Sequence, residues 1–145
     1  MMSRMSFEGI LARDGVLVYS NVGDSMLPLI RQGRDLLVIK KPEHKPVQND
    51  IVLYKRDNGQ YVLHRIIRVR KSDYVLCGDN RYNKEYGITD RHIIGILTSI
   101  ITNGKELPLS CWRYRLYTCV WCKLYPIRAL VLLGRNVIRH FRKKL

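Results

Sequence analysis

The chain has no long hydrophobic run and, between Cys111 and Leu145, no acidic residue. Its most apolar stretch, Ala129–Leu133, is far short of the ~20 residues that cross a bilayer. Wider windows take in Arg115, Lys123 and Arg128, so a spanning helix is not expected. Met1–Leu17 lacks a long apolar core and carries Arg4, Glu8, Arg13 and Asp14, a composition unlike a secretory signal peptide. Internal repeats and low-complexity tracts are absent. Cysteine is sparse: Cys77, Cys111, Cys119 and Cys122. Cys119-Val120-Trp121-Cys122 has the spacing of a metal or redox pair but no second pair to complete four ligands. No metal or cofactor is therefore expected. Free thiols in a reducing compartment are the simpler reading, and the expected location is cytoplasmic or peripheral to a membrane.

What is present is positive charge, unevenly spread. The 145 residues carry 26 Lys and Arg against 12 Asp and Glu, a net charge of +14. Nine of those cations lie in 111–145: Arg113, Arg115, Lys123, Arg128, Arg135, Arg139, Arg142, Lys143 and Lys144. Two parts follow, a mildly basic domain over 1–107 and a cationic tail over 108–145. The tail suits an anionic membrane surface; nucleic acid is the less favoured partner.

Hydrophobic periodicity separates the same two parts. Residues 1–13 read as a short helix, with Phe7, Ile10 and Leu11 on one face. Strands are expected at Val16–Val22, Leu36–Ile39, Asp50–Lys55, Tyr61–Arg70, Tyr74–Cys77 and 92–102. Asp57-Asn58-Gly59-Gln60 is a strong hairpin signal. On Tyr61–Arg70, alternation puts Val62, His64 and Ile66 on one face and Leu63, Arg65 and Ile67 on the other. Residues 78–91 read as loop. From Trp112 onward, Leu116, Val120, Leu124, Ile127, Leu130 or Val131, Ile138 and Phe141 recur at helical spacing, and Pro126 and Gly134 are expected to break the run into two or three helical pieces. The fold class is thus mostly β: a small antiparallel, barrel-like domain followed by a basic amphipathic helical tail. That tail either lies in a lipid interface, its Trp and Tyr at headgroup level, or packs its apolar face back on the domain.

Two residues carry the chemistry. Ser25 sits in Val22-Gly23-Asp24-Ser25-Met26-Leu27-Pro28, where glycine permits a tight turn before the serine and proline stiffens the exit. His64 sits in Val62-Leu63-His64-Arg65-Ile66. A serine hydroxyl is a weak nucleophile near neutral pH, and a positioned imidazole is the usual activator. His44, His92 and His140 have no motif partner and read as surface or structural.

In this order the motifs resemble the signal peptidase I and self-cleaving repressor superfamily of serine peptidases, over about Val22 to Ile101. Gly23-Asp24-Ser25-Met26-Leu27-Pro28 resembles its nucleophile motif. Gln32-Gly33-Arg34-Asp35-Leu36-Leu37-Val38 resembles the following strand, with Arg34 splitting the usual Gly-Asp pair. Asn49-Asp50-Ile51-Val52 resembles a later strand start, with asparagine in place of glycine. Val62-Leu63-His64-Arg65-Ile66-Ile67 resembles the general-base strand. Cys77-Gly78-Asp79-Asn80 and Thr89-Asp90-Arg91 resemble the last active-site motif. Histidine in the base position is similar to the endoplasmic reticulum and archaeal branch; the bacterial enzymes and the repressors carry lysine there. Only 24 residues precede Ser25, too few for the DNA-binding domain that precedes a repressor's peptidase.

The resemblance implies a serine endopeptidase acting through an acyl-enzyme on leader- or signal-type peptides. Ser25 is the expected nucleophile and His64 the base. Asp90 is the favoured acceptor to orient the imidazole, with Asp79 the alternative. The Ser25 backbone amide is the expected oxyanion donor, and Gly23 removes a side-chain hydroxyl that some relatives place there. Met26 and Leu27 resemble cleft residues, though a core role suits them equally. The competing expectation is a catalytically silent module of the same fold that grips peptides or a membrane.

Overall fold

The computed structural model describes residues 5–143. The first four positions of the expected amino-terminal helix, and Lys144 of the basic tail, lie outside the described residues. The rest of that helix forms as α1 (Phe7–Asp14). Ser6 caps it by accepting the Gly9 amide at 3.1 Å, and Leu11 anchors it in the core beside Phe7 and Ile10.

Eight strands follow: β1 (Val16–Ser20), β2 (Asp35–Lys40), β3 (Ile51–Lys55), β4 (Tyr61–Val69), β5 (Tyr74–Cys77), β6 (Glu85–Ile88), β7 (Ile93–Thr102) and β8 (Lys105–Pro108). All pair antiparallel in the spatial order β1-β2-β7-β3-β4-β5-β6, with β8 on the far end of β7. β7 is the hub. Its start pairs with β3 and the remainder with β2. The expected mostly β, antiparallel domain with a helical tail is what forms, although β1 and β6 do not meet and the sheet is not closed into a barrel.

β3 is buried on both faces, which is why it reads as a continuous apolar run. Ile51 and Leu53 join one cluster with Met26, Ile30, Leu37, Ile39, Leu63 and Leu97. Val52 and Tyr54 join a second with Ile66, Tyr74, Leu76 and Ile88. The β3–β4 hairpin closes where the Asn-Gly pair predicts. Gly59 takes φ 86, and the Arg56 amide bonds the Gln60 carbonyl at 2.9 Å. That turn sets the register Val52↔His64 and Tyr54↔Val62. Asn49, standing where the related motif has glycine, adopts φ 78. Asparagine tolerates this left-handed conformation better than other side chains.

One expectation changes: residues 78–91 are not all loop, because β6 pairs with β5 there. The helical tail forms two pieces, the smaller of the expected numbers, with no break at Gly134. α2 (Trp112–Lys123) and α3 (Tyr125–Arg142) meet at Leu124 with a 69° bend, at the proline that opens α3, and α3 runs straight through Gly134. A lone glycine in an exposed helix costs only ~1 kcal/mol against alanine, too little to end an 18-residue helix.

α2 is docked on the sheet by polar contacts. Arg65 of β4 donates to the Tyr114 hydroxyl at 2.8 Å, and the Tyr117 hydroxyl donates to Asp79 at 2.8 Å. Trp121 Nε1 donates to the Asp79 carbonyl at 3.1 Å. The apolar side chains point the other way. Trp112, Leu116, Val120, Ile127, Leu130, Val131, Ile138 and Phe141 are all exposed. Among the described residues no single helix is long and apolar enough to cross a membrane; α2 and α3 pass that test only as a bent pair.

Candidate active site

Ser25 lies in the turn between β1 and β2. Met26 and Ile30, both fully buried, pin that turn into the core. Met26 is thus a core residue, while Leu27 remains half-buried at the surface of the loop. On the other side, the segment after β5 clasps it. The Asn80 amide bonds the Ser25 carbonyl at 2.8 Å, Asn80 Nδ2 bonds the Asp24 carbonyl at 3.1 Å, and Arg81 pairs with Asp24 at 2.6 Å. Asp24 is therefore a latch for the loop.

Gly78 makes this closeness possible. A Cβ at that position would sit 2.6 Å from the Ser25 carbonyl oxygen and 3.2 Å from His64 Nε2. Both groups approach the same bare backbone, so the serine loop and the imidazole are brought together across Gly78. The expected direct bond from Ser25 Oγ to His64 is not formed. Catalytic hydrogen bonds are often long or misaligned without substrate.

His64 is held from its other nitrogen. Nδ1 lies 3.2 Å from the Tyr54 hydroxyl, and Tyr54 donates to Glu85 Oε2 at 2.6 Å. Arg56 grips both Glu85 oxygens, at 2.7 and 2.6 Å. Tyrosine has one hydroxyl proton, and the ionised Glu85 can only accept. The proton therefore points to Glu85, and the Tyr54 oxygen accepts the Nδ1–H of His64. This fixes the tautomer with the lone pair on Nε2. Among the described residues the fully buried polar side-chain atoms without partners are Asn21 Nδ2 and Arg128 Nε. His64 Nε2 is not one of them; it lies beside Gly78.

Burial dominates the titration of His64 and pushes its pKa down to about 4, against an upward pull from Glu85. The ring is neutral through the physiological range. Burial alone would raise the Glu85 carboxyl, but the bonds from Arg56 and Tyr54 outweigh it and hold it below the usual range. Burial and the adjacent Glu85 charge raise the Tyr54 phenol, so it keeps its proton.

Neither expected aspartate reaches the imidazole. Asp79 is buried and bidentate with Arg65, at 2.8 and 2.7 Å, and accepts from Tyr117. Its carboxylate faces the side of β4 opposite His64, as strand alternation requires of Arg65. Asp90 is largely exposed; it accepts from the Tyr74 hydroxyl and lies 3.9 Å from Lys45. The acceptor expected of Asp90, or failing that of Asp79, is the Tyr54–Glu85 pair. Sequence reasoning missed both residues. Tyr54 was recoverable, since the 57–60 hairpin places it diagonally from His64 on the same face. Glu85 was not, because its strand is hidden in a loop-like composition.

The remaining expectations are simply placed. His92 closes the turn at 90–92, accepting the Thr89 amide at 3.0 Å. All four cysteines are free. Asp35 of the split Gly-Arg-Asp segment is buried, held by Arg34, by Thr102 and by the Arg31 amide.

The antiparallel sheet thus brings the backbone of a turn serine close to a neutral imidazole held at Nδ1. The chain belongs to the Peptidase S24-like family, whose model matches residues 5–98. That span runs from α1 into β7 and includes Ser25, Tyr54, His64 and Glu85. Neither the curated proteins nor the solved structures returned a match.

Proposed function

We propose that the protein is a serine endopeptidase in which Ser25 is the nucleophile and His64 the general base. The observation that supports this most is the arrangement about the imidazole: Nδ1 held by Tyr54, Nε2 free and facing the serine loop across Gly78. In the reaction the Ser25 hydroxyl proton passes to Nε2 as Oγ attacks the peptide carbonyl. The imidazolium so formed is stabilised through Tyr54 by the Glu85 charge. Nε2 then returns the proton to the leaving amine. Water repeats the sequence on the ester, giving the carboxylic acid and free serine. The Ser25 amide is the oxyanion donor in this scheme. Histidine as base aligns the chain with the endoplasmic reticulum and archaeal signal peptidases, so leader- or signal-type peptides bound as an added strand are the proposed substrates.

The exposed apolar face of α2 and α3, flanked by Arg135, Arg139 and Arg142, supports peripheral association with an anionic membrane. The test of the main reading is cleavage of extended peptides by wild type against Ser25→Ala. Cleavage by wild type alone supports it; equal rates overturn it. A second reading, a silent binding module of the same fold, is favoured by the absent Ser25–His64 hydrogen bond. It predicts peptide binding without turnover in both proteins.

A further inference from the structure

Arg128, in the first turns of α3, is nine-tenths buried, yet its guanidinium makes no hydrogen bond among the described residues. Its neighbours are rings. The guanidinium carbon lies 5.1 Å from the Trp121 centroid and 4.8 Å from that of Tyr125. Cation–π attraction offsets part of the desolvation, but it leaves the buried Nε–H unmatched. A buried cation without a counter-charge is strongly unfavourable.

Arg128 lines a cavity of about 270 Å³ between β4, β5 and the α2–α3 corner, with Arg68, Arg70 and Lys84 on its other walls. Arg70 is already matched by Asp73. Among the described residues no aspartate or glutamate lines the cavity. We propose that this cavity binds a phosphate group. Convergent cations exceed what one carboxylate would neutralise, and the planar Arg128 fork presents paired donors suited to phosphate oxygens. The phosphate could come from solution or from a lipid headgroup. Exposed Ile127, Leu130 and Val131 flank Arg128 on the same helix, which makes the headgroup sterically accessible. This site is separate from Ser25 and His64 and does not depend on catalysis.

The test uses the full chain as wild type, Arg128→Gln and Arg68→Gln. Thermal unfolding is followed across a potassium phosphate titration against potassium chloride at matched ionic strength. Binding to phosphatidylglycerol and phosphatidylcholine vesicles is measured in parallel. Phosphate stabilises many proteins by exclusion, so the readout is the difference between wild type and variant. Apparent phosphate affinity should fall about tenfold or more in Arg128→Gln and by less in Arg68→Gln. Arg128-dependent binding to phosphatidylglycerol vesicles assigns the headgroup source. An Arg128-dependent phosphate response with vesicle binding unchanged assigns the soluble source. Identical phosphate responses and identical vesicle binding in wild type and Arg128→Gln would overturn the site. If Arg128→Gln does not fold, the double variant Arg68→Gln/Lys84→Gln, altered at exposed rim positions, carries the same comparison.

Discussion

Gly78 faces His64 so closely that one added methyl group would lie 3.2 Å from Nε2, while also meeting the Ser25 carbonyl at 2.6 Å. The backbone of one loop therefore sets the spacing between the Ser25 turn and the strand that carries His64. Gly78→Ala should push the Ser25 loop away and reduce kcat/KM at least ~100-fold. The fold should lose only ~1–3 kcal/mol, the usual range for overpacking. Steady-state kinetics beside urea unfolding checks the contrast.

In the proposed mechanism Tyr54 acts by holding the His64 ring at Nδ1. Tyr54→Phe keeps the ring and removes the hydroxyl, freeing the imidazole to turn and to change tautomer. The expected loss in kcat is about 10- to 100-fold with KM little changed. Glu85→Gln should act in the same direction and also lower the apparent pKa of His64, because the Glu85 charge pulls that value upward. A pH–rate profile distinguishes positioning from simple structural damage.

The depressed His64 pKa has two consequences of known sign. The acid limb of kcat/KM should fall near pH 4, because only the neutral ring accepts a proton. Stability is linked as well. The unfolded ring protonates near its ordinary 6.5, the folded one only near about 4. Between those values the unfolded state holds more protons, so stability is full above pH 6.5 and is lost as pH falls toward 4. The loss is on the order of 3 kcal/mol. His64→Gln should flatten that part of the curve in denaturant titrations at successive pH values.

Asp79 and Asp90 separate stability from catalysis. Asp79→Ala leaves the buried Arg65 without a counter-charge and removes the contact that seats Tyr117 of α2. A loss of ~3–5 kcal/mol is expected. Asp90→Asn, at an exposed side chain, should change stability by less than ~0.5 kcal/mol and leave kcat/KM intact. Calorimetry and peptide kinetics on the pair give the comparison.

Six of the eight strands, β1 to β5 and β7, were legible in the sequence because each depends on local signals, as do the turn that carries Ser25 and the strand that carries His64. The Asn58-Gly59 turn, the alternation about His64 and the Gly23–Pro28 run all act over a few residues. The groups that tune the base were not. Glu85 reaches Tyr54 from a strand 31 positions away, and nothing near Glu85 reads as strand. The Asp79 and Asp90 motif similarity indicated position without indicating partner. Arg65 took Asp79 because it projects from the opposite face of β4 to His64. The tail was half legible: its period gave the helices, but the aromatic contacts that seat α2 on Asp79 run against the apolar stripe.

Reaction of the protein with a fluorophosphonate, followed by peptide mapping, tests the central claim most directly. The adduct should form on Ser25, form far more slowly in His64→Gln, and form at the wild-type rate in Asp90→Asn. An adduct on another residue, or labelling of Ser25 that is indifferent to His64, would contradict it.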